Sequence, residues 1–267
     1  MTITNDGTTA TVLLEVRDGV AFVTLSRPEA ANSMDLAFGR DILKVASSLE
    51  ANEKVRAVVL SGAGKNFCFG GDLKGMVASG GDVTEYLTTL TKDLHAAIVC
   101  FTRMRAPVIA AVTGTAAGAG VGLVLMADLA IAGSSAKFAP AYTGVALTPD
   151  GSTTFLLPRA VGYKRAMELF LTNRVLSAPE ALEWGLVNQV VDDAAVLETA
   201  TELAERLAAG PTGAFGQVKR LLNASEPGLA AQLDHESQII ATQGASAEGR
   251  EGIGAFLEKR KPSYRAS

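Results

Sequence analysis

Hydrophobic residues near the N-terminus fall into two short runs on either side of a polar Asp-Gly pair. The stretch is TVLLEVRDGVAFVTLSRP, and the pair is Asp18-Gly19. An Asp-Gly pair accepts the positive φ angles of a tight hairpin turn, and runs rich in β-branched residues are typical of strands. The pattern therefore predicts two strands joined at these two residues.

Further along the chain, the hydrophobic positions follow two other patterns. The run from Val55 to Leu60 is continuous and mostly β-branched, as is expected of a strand with both faces buried. Asp82 and Glu85 have capping-box spacing, and the apolar residues that follow them recur at helical spacing, which predicts a long helix. Its apolar stripe consists of Leu87, Leu90, Leu94, Ile98 and Phe101. An earlier helix is predicted to begin after Asp35.

Strand, loop and helix alternate along most of the chain. A buried strand is predicted at PVIAAV, and it is followed by a helix at VGLVLMA, a strand at DLAIAG and a helix at STTFLLPRAVG. This order predicts an α/β architecture with parallel strands, whose ligands bind in loops at the carboxyl ends of the strands. Only helices are predicted after about residue 194. We therefore expect a core over residues 1–193 and a C-terminal helical segment over residues 194–267.

Composition and charge exclude several classes of function. The chain has 267 residues, a net charge of -4 and no basic block, which argues against a nucleic-acid partner. Twenty uncharged residues precede Asp128, but the glycines among them divide the stretch into a strand, a loop and a helix start, so a membrane span is disfavoured. Cys68 and Cys100 cannot form a disulfide framework, and no signal peptide is recognised, so the expected location is the cytoplasm.

Two glycine-rich loops each follow a predicted strand and precede a predicted helix. One contains Gly70 and Gly71, and the other runs from Gly114 to Gly122. Glycines at such places let backbone N–H groups approach a ligand, and the helix N-terminus adds a partial positive charge. Two alternatives remain, a purely structural turn and a dinucleotide site. The second is weakened because GTAAGAG lacks the GxGxxG spacing and the chain has no GK[ST] motif.

Six stretches of the sequence, in order, resemble the crotonase superfamily of acyl-CoA hydratases and isomerases. They are LSRPEAANSMD, NFCFGGDLKGM, APVIAAVTGTAAGAGVGLVLMADLAIA, KFAPAYTGVALTPDGSTTFLLPRAVG, LSAPEALEWGLVNQVV and AFLEKRKPSY. The resemblance covers nearly the whole chain and implies a spiral of ββα units with a C-terminal helical trimerisation segment. It also implies a homotrimer or a dimer of trimers that acts on a coenzyme A thioester. Coenzyme A would enter as part of the substrate, and neither a further cofactor nor a metal is expected.

The resemblance assigns a role to one backbone amide in each glycine loop. The family's two oxyanion donors correspond to Gly71 and to Ala119, which stands where the family has the middle glycine of a GGG triplet. Because a backbone N–H is the donor, alanine can replace glycine where the backbone dihedrals allow it. These amides would bind the thioester carbonyl and stabilise an enolate.

Further residues are expected around the substrate by the same resemblance. Lys74 corresponds to a lysine near the CoA phosphates. Phe256 and Lys259 correspond to residues that touch the adenine of CoA bound to a neighbouring subunit, although packing and solvation explain them equally well. Asp72 is also expected to hold its own loop through backbone amides. The other substrate-binding candidates are Ala30, Phe69, Leu73 and Tyr142, and Met76, Val77 and Tyr86 are expected near the acyl pocket.

The two catalytic glutamates of the family's hydratases are missing from this sequence. Gly122 and Tyr142 stand at their positions, so water addition by a pair of carboxylates is not supported. Asp150, in LTPDGS, corresponds to an aspartate that serves as the base in several branches: dienoyl-CoA isomerases, dehalogenases and isomerases of ring-epoxidised phenylacetyl-CoA. The local sequence is most similar to the last of these. The alternative is that Asp150, which precedes Ser152, caps a helix or stabilises a turn.

The predicted activity is isomerisation of an acyl-CoA, in which the base shifts a double bond or opens a ring epoxide. A lone carboxylate at Asp150 suits this reaction because it can take a proton from C2 and return it at C4 without water. A hydratase and a non-catalytic acyl-CoA-binding homologue are the alternatives. His95 and His235 have no suitably spaced serine, cysteine or acid, so a hydrolytic triad is not supported, and Cys68 is expected to be an ordinary buried thiol.

Overall fold

The computed structural model describes residues 10–224 and 229–264, except for several side chains between residues 229 and 241. The strands are β1 Val12–Arg17, β2 Val20–Leu25, β3 Ala57–Gly62, β4 Val108–Val112, β5 Thr115–Ala117, β6 Leu129–Gly133, β7 Lys137–Ala139, β8 Leu176–Ser177 and β9 Gln189–Val191. The helices are α1 Leu36–Glu50, α2 Leu73–Ala78, α3 Val83–Arg103, α4 Ala119–Met126, α5 Thr153–Val161, α6 Tyr163–Thr172, α7 Ala178–Glu183, α8 Val196–Ala208, α9 Thr212–Asn223, α10 Leu229–Gly244 and α11 Ala247–Leu257.

The strands form two sheets of unequal size. The larger sheet has six strands in the order β1-β2-β3-β4-β6-β9, and β5, β7 and β8 form a small second sheet. In the larger sheet β1 pairs with β2 antiparallel, whereas every other neighbouring pair is parallel. The predicted α/β class with parallel strands is therefore confirmed.

The N-terminal hairpin turns at the predicted residues. Asp18 and Gly19 have φ angles of 50° and 82°, so both occupy the left-handed region that a two-residue hairpin loop requires. Arg17 lies opposite Val20, and the pairing continues in register to Val12 opposite Leu25.

The central strands are buried on both faces, which explains their continuous apolar sequence. Successive side chains of a strand point to opposite faces of the sheet. Val58 and Leu60 accordingly pack in the larger core cluster, with side chains of α1 and α3. Val59 and Ile109 pack in a second cluster, with Ala200 and other small side chains of α8.

In the described residues after 194, the structure has four helices, as the sequence predicted. The first of them, α8, covers one face of the large sheet through Val196, Ala200, Ala204 and Ala208. It therefore contributes to the core that the strands build. The boundary between a core and a C-terminal segment at residue 194 stays a prediction, as does the role of this segment in trimerisation.

The helix α9 is tied to the core by a buried ion pair. Lys219 Nζ lies 2.7 Å from Asp128 Oδ2, at the start of β6. The same ammonium group donates to the carbonyl oxygens of Phe101 and Ala106, at 3.0 and 3.1 Å. A charged side chain that is 7% exposed is thus fully provided with acceptors.

The uncharged stretch before Asp128 is divided at its glycines, as expected, although the predicted loop contains a short strand, β5. It forms β4, β5 and α4, each too short to cross a bilayer. Within residues 10–224 and 229–264, no helix has the length and apolar character of a transmembrane span.

Candidate active site

The first glycine loop is held by a buried asparagine from another part of the chain. Asn32 is 0% exposed, and its φ of 56° lies in the left-handed region, which asparagine tolerates better than most residues. Its Nδ2 donates to the carbonyl oxygens of Ala63, Asn66 and Phe67, at 2.9, 2.8 and 3.1 Å. These bonds fix the turn by which the chain leaves β3 and enters the loop.

The two glycine loops lie against each other. Cys68 and Ala116 form an isolated parallel bridge, and the Ala117 amide donates to the Cys68 carbonyl at 2.8 Å. Gly70 has a φ of 77°, and a Cβ there would lie 2.8 Å from Ala117 O and 3.0 Å from Ala119 N. Only glycine at position 70 therefore lets the loops approach so closely.

Each loop presents one backbone amide without an acceptor. In the part of the chain that the structure describes, neither Gly71 N–H nor Ala119 N–H donates a hydrogen bond. Ala119 is the first residue of α4, where the helix dipole adds partial positive charge. The two candidate donors line one cavity.

That cavity has a volume of about 350 Å³ and a largely apolar wall. Its lining residues are Met34, Phe69, Gly71, Leu73, Leu87, Leu90, Thr91, Leu94, Ala117, Gly118, Ala119, Ala141, Tyr142, Val145, Leu147, Thr148, Pro149 and Asp150. The contribution of α3 has the spacing of one helix face, with Leu87, Leu90, Thr91 and Leu94. Apolar walls with a few polar groups are typical of small-molecule sites.

Among the described residues that line the cavity, Asp150 is the one carboxylate. Its Oδ1 lies 2.6 Å from Nε2 of His95, on α3, and the two side chains are 32% and 51% exposed. With Asp150 ionised, Nε2 carries the proton and donates to the carboxylate. The other oxygen, Oδ2, accepts no hydrogen bond from the described part of the chain, so it is available to a ligand.

The expectation that His95 has no acid partner is therefore wrong. His95 and Asp150 are 55 residues apart in the sequence, and the contact forms because α3 packs beside the loop that follows β7. One signal was present in the sequence: His95 follows Leu94, so it lies at the edge of the apolar stripe that faces the cavity. The side chain of His235 lies outside the described ones.

The alternative role of Asp150 as a helix cap is also wrong, whereas its alternative role in a turn is confirmed, because its carbonyl oxygen accepts from the Thr153 amide at 3.3 Å. The residue that precedes α5 is Ser152, with no side-chain capping bond, and the Asp150 carboxylate contacts His95 rather than a helix amide. The loop around Asp150 packs on the second glycine loop, because a Cβ at Gly151 would lie 3.2 Å from Ala119 Cβ. The carboxylate-bearing loop thus lies directly beside a residue that offers a free amide, with no space for a side chain between them.

The two positions at which hydratases carry glutamates have structural roles in this chain. A Cβ at Gly122 would lie 2.0 Å from the carbonyl oxygen of Gly151, so no side chain fits there unless the loop after Asp150 moves. Tyr142 lines the cavity, and its hydroxyl donates to the Asp150 carbonyl at 2.8 Å. Packing against the Gly151 carbonyl therefore excludes a glutamate side chain at position 122 as long as the loop after Asp150 keeps this conformation.

The other candidates around the substrate divide into two groups. Phe69 and Leu73 line the cavity, and both are partly exposed. Ala30 lies in a 3-10 turn, and Lys74 is exposed on α2, outside the cavity lining. Asp72 caps α2, because its Oδ1 accepts from the Gly75 amide at 2.9 Å while Arg27 Nη2 lies 3.1 Å from its Oδ2.

The remaining predicted residues lie away from the cavity of their own chain. Phe256, on α11, is 83% exposed and Lys259 follows the same helix, so contact with a neighbouring subunit's CoA stays a prediction. Met76, Val77 and Tyr86 do not line this cavity, so their expected place near the acyl pocket stays a prediction. On α3, Leu87 lines the cavity and its neighbour Tyr86 does not.

The cysteine in the first loop is inert by its environment. Cys68 is fully buried, its Sγ donates to Asn32 O at 3.1 Å, and burial raises the pKa of its thiol to about 12. A thiol that stays protonated is a poor nucleophile. Across residues 10–224 and 229–264, no group of three or more His, Cys, Asp or Glu side chains is arranged to hold a metal ion.

With this geometry in place, comparison with known proteins identifies the family. A model of the enoyl-CoA hydratase/isomerase family matches residues 15–267. The chain belongs to the enoyl-CoA hydratase/isomerase family. It is 39% identical over 255 residues to the 1,2-epoxyphenylacetyl-CoA isomerase of Escherichia coli (strain K12), covering 95% of this chain and 97% of that protein. It is also 37% identical over 236 residues to 4-chlorobenzoyl coenzyme A dehalogenase-2 of an Arthrobacter species, covering 87% and 86%.

Solved structures of the enoyl-CoA hydratase/isomerase family share the whole fold. A crystal structure of an enoyl-CoA hydratase from Polaromonas sp. JS666 superposes with a TM-score of 0.90 at 34% identity, covering 95% of this chain and 99% of that one. The fold and the resemblance to the crotonase superfamily are therefore confirmed. Hydratase, isomerase and dehalogenase relatives share this scaffold, so the reaction has to be argued from the residues of the site.

Proposed function

We propose that this member of the enoyl-CoA hydratase/isomerase family is an acyl-CoA isomerase with Asp150 as its acid–base group. The observation that carries the proposal is that a single carboxylate and two acceptor-free amides, of Gly71 and Ala119, line one apolar cavity. An acyl group fits such a cavity, and the amides are suited to its thioester oxygen.

In the proposed reaction the amides of Gly71 and Ala119 form an oxyanion hole. They donate hydrogen bonds to the thioester oxygen, and these bonds strengthen as the oxygen gains negative charge in the enolate. Loss of one donor of this kind raises a barrier by about 2.7–4 kcal/mol. The helix dipole of α4 acts in the same direction on the bond from Ala119.

Asp150 then moves one proton between two carbons of the acyl group. Its Oδ2 takes the proton from C2, the double bond shifts, and the same oxygen returns the proton at C4. In the epoxide version of the substrate, the same base would assist opening of the ring. The donated hydrogen bond from His95 keeps Oδ1 engaged, so that Oδ2 is the oxygen turned to the substrate.

The hydratase alternative lacks a second carboxylate in the cavity. Position 122 has no room for a side chain against Gly151, and Tyr142 occupies the other glutamate position. A hydratase is expected to need two carboxylates, one to activate the water and one to supply the proton. A single carboxylate is better suited to double-bond migration.

The experiment follows both reactions in parallel. The protein is incubated with a 3-enoyl-CoA and with crotonyl-CoA, and double-bond migration and hydration are measured separately for the wild-type protein and Asp150→Asn. The proposal expects migration that the substitution abolishes. Migration that survives the substitution contradicts the assignment of Asp150, and tight CoA-thioester binding without turnover of any substrate supports the non-catalytic binding homologue.

A second candidate function follows from the His95–Asp150 hydrogen bond, which isomerisation does not require. A carboxylate beside an imidazole can act as a nucleophile whose ester is then hydrolysed with the imidazole as base. Relatives named 4-chlorobenzoyl coenzyme A dehalogenases match this chain at 37% identity. A halogenated aryl-CoA is therefore the substrate class for this candidate.

The hydrolytic reaction would have two steps. Asp150 Oδ2 attacks the ring carbon that bears the halogen, a C–O bond forms, and the C–halogen bond breaks to release halide with its electron pair. A water molecule then gives a proton to His95 and adds to the ester carbonyl carbon. The aryl oxygen leaves and takes that proton from His95. The carboxylic acid that remains releases the second proton of the water to solvent, which restores a carboxylate that contains one oxygen from water.

Isotope labelling separates the two candidates. In a single turnover of 4-chlorobenzoyl-CoA in H₂¹⁸O, the hydrolytic function predicts chloride release, product without ¹⁸O, and one ¹⁸O in the peptide that contains Asp150. The isomerase function predicts none of these and predicts migration of a 3-enoyl-CoA double bond instead. An unlabelled Asp150 after complete chloride release would contradict the nucleophilic role.

We also propose that the protein assembles as a trimer or a dimer of trimers. Exposed apolar side chains of the C-terminal helices, including Phe256 and Leu257, support this assembly. Lys74 would face the CoA phosphates, and Phe256 and Lys259 would contact the adenine of a neighbouring subunit's CoA. Phe256→Ala is expected to weaken CoA binding without changing the proton-transfer step, as measured by Kd for CoA and by kcat.

A further inference from the structure

The main chain directly after Asp150 adopts an unusual conformation. Gly151 and Ser152 have φ angles of 60° and 70°, so two consecutive residues lie in the left-handed region. For a residue with a side chain, such as Ser152, this conformation is unfavourable and persists only where the surroundings hold it. The side chain of Ser152 makes no capping bond that would do so.

The carbonyl group of Asp150 receives the interactions that hold the loop. Its oxygen accepts a hydrogen bond from the Tyr142 hydroxyl at 2.8 Å and from Thr153 Oγ1 at 2.7 Å, and the Thr153 amide lies at 3.3 Å. Thr153 belongs to α5, so its bonds are local. Tyr142 lies eight residues earlier, in the loop after β7, so its bond is the one that ties the Asp150 backbone to a different part of the cavity wall.

The ring of Tyr142 lies beside the second glycine loop. A Cβ at Gly118 would lie 3.9 Å from the Tyr142 Cζ, which places the ring against the second glycine loop. Burial raises the pKa of the Tyr142 phenol above its ordinary value, so the hydroxyl is protonated at neutral pH and can donate. The side chain of Tyr142 thus connects two parts of the site: its ring lies beside the second glycine loop, and its hydroxyl binds the carbonyl group of Asp150.

We propose that Tyr142 is a positioning residue, whose hydroxyl fixes the main chain of Asp150 so that the carboxylate stays between His95 and the acyl cavity. The inference rests on the proposed function, because it takes Asp150 as the group that acts on the substrate. Tyr142 stands where the family's hydratases have a glutamate. In this proposal the tyrosine holds Asp150 in place through its backbone carbonyl and exchanges no proton with the substrate.

The test compares Tyr142→Phe with the wild-type protein and with Tyr163→Phe, a matched loss of a hydroxyl from a tyrosine that is 65% exposed on α6. The first readout is isomerisation kinetics. Tyr142→Phe is expected to lower kcat about ten-fold while KM changes less than about two-fold, because a small misplacement of a reacting group slows chemistry more than binding. Tyr163→Phe is expected to change neither.

The second readout is the ¹⁵N resonance of His95 Nε2, which reports the hydrogen bond to Asp150 directly. The chain has two histidines, so the His95→Gln variant assigns the signal. Tyr142→Phe is expected to move the resonance toward its position in Asp150→Asn. Thr153→Val removes another donor to the same carbonyl, so it is expected to move the resonance in the same direction and replaces Tyr142→Phe if that variant does not fold.

The outcomes separate this inference from the proposed function. An unmoved resonance in Tyr142→Phe overturns the positioning role, whatever the rate. A moved resonance with wild-type kcat overturns it as well, since the displacement then has no consequence for the reaction. If the wild-type protein turns over no thioester, the proposed function fails, and the resonance alone decides whether Tyr142 positions Asp150.

Discussion

The amide side and the acid side of the cavity are built in different ways. On the amide side, Gly71 and Ala119 offer backbone groups, and the close approach of their loops depends on Gly70 and on the buried Asn32. On the acid side, the side chain of Asp150 meets a histidine from a separate helix. Backbone geometry tolerates a change of side chain, as alanine at position 119 illustrates, whereas side-chain chemistry does not.

This contrast predicts two kinds of mutational effect. Substitutions on the acid side are expected to alter the rate and leave the free energy of unfolding nearly unchanged, because the side chains of Asp150 and His95 are partly exposed. Substitutions on the amide side are expected to alter both, because the residues that hold those loops are buried.

The largest effect is expected from Asp150→Asn. An amide has nearly the same shape as the carboxylate but cannot accept the proton, so kcat for isomerisation should fall on the order of 10³-fold. The midpoint of thermal unfolding should stay within a few degrees of the wild-type value. A large loss of stability would mean that the acid side also supports the fold, and would contradict the proposed difference between the two sides of the cavity.

Asn32→Ala is expected to act on the amide side through stability. The substitution removes the donor to three carbonyl groups and places alanine at a left-handed φ, so the free energy of unfolding should fall by about 3 kcal/mol. Denaturant unfolding measures it. Asn52→Ala is the matched control, because the exposed Asn52 accepts one bond, from Lys54 N at 3.1 Å, and should cost less than about 0.5 kcal/mol.

His95→Gln sharpens the assignment of the acid side. If the protein is an isomerase, loss of the imidazole should lower kcat only about ten-fold, because Asp150 still exchanges the proton. If the protein acts by hydrolysis, a covalent adduct of Asp150 should accumulate, and mass spectrometry of the quenched enzyme detects it. Lys92→Gln, an exposed change on the same helix, is the control and should leave both measurements at the wild-type level.

The smallest effect concerns Cys68 and the dependence of stability on pH. Burial raises the pKa of its thiol from the 9.0 of an exposed cysteine to about 12, so the unfolded chain loses this proton first as pH rises. Stability that is fully present below pH 9 should therefore fall by about 1 kcal/mol between pH 9 and 10, relative to Cys68→Ala. Identical pH profiles for the two proteins would show that the amide side is open to water.

The sequence alone predicted most of the secondary structure for local reasons. The hairpin at Asp18-Gly19 depends on a pair of residues that accept positive φ, and α1 after Asp35 has the predicted cap, since Asp35 Oδ1 accepts from the Phe38 amide at 2.8 Å. The continuous apolar run of β3 correctly indicated a strand buried on both faces. These features depend on neighbours within a few residues, and a sequence displays such neighbours directly.

The parts of the site that were missed depend on contacts between distant segments. The pairing of His95 with Asp150 joins residues 55 positions apart, and the hold of Asn32 on the first loop joins residues more than 30 positions apart. The face of α3 that lines the cavity has a similar origin, because the phase of this helix relative to the cavity is set by its packing on α1. No local pattern encodes these arrangements.

By itself, the sequence determined the N-terminal hairpin, the central buried strands and the long helices, but not the short strands of the second sheet. It also determined the glycines that allow two loops to meet and the absence of both hydratase glutamates, because each is a property of a residue or of its immediate neighbours. Only the tertiary structure decided that Asp150 has a histidine partner, that Gly151 fills the space beside Gly122, and that Tyr142 binds the Asp150 carbonyl. The physical reason is that hydrogen bonds and steric contacts act over a few ångströms in space, irrespective of separation along the chain.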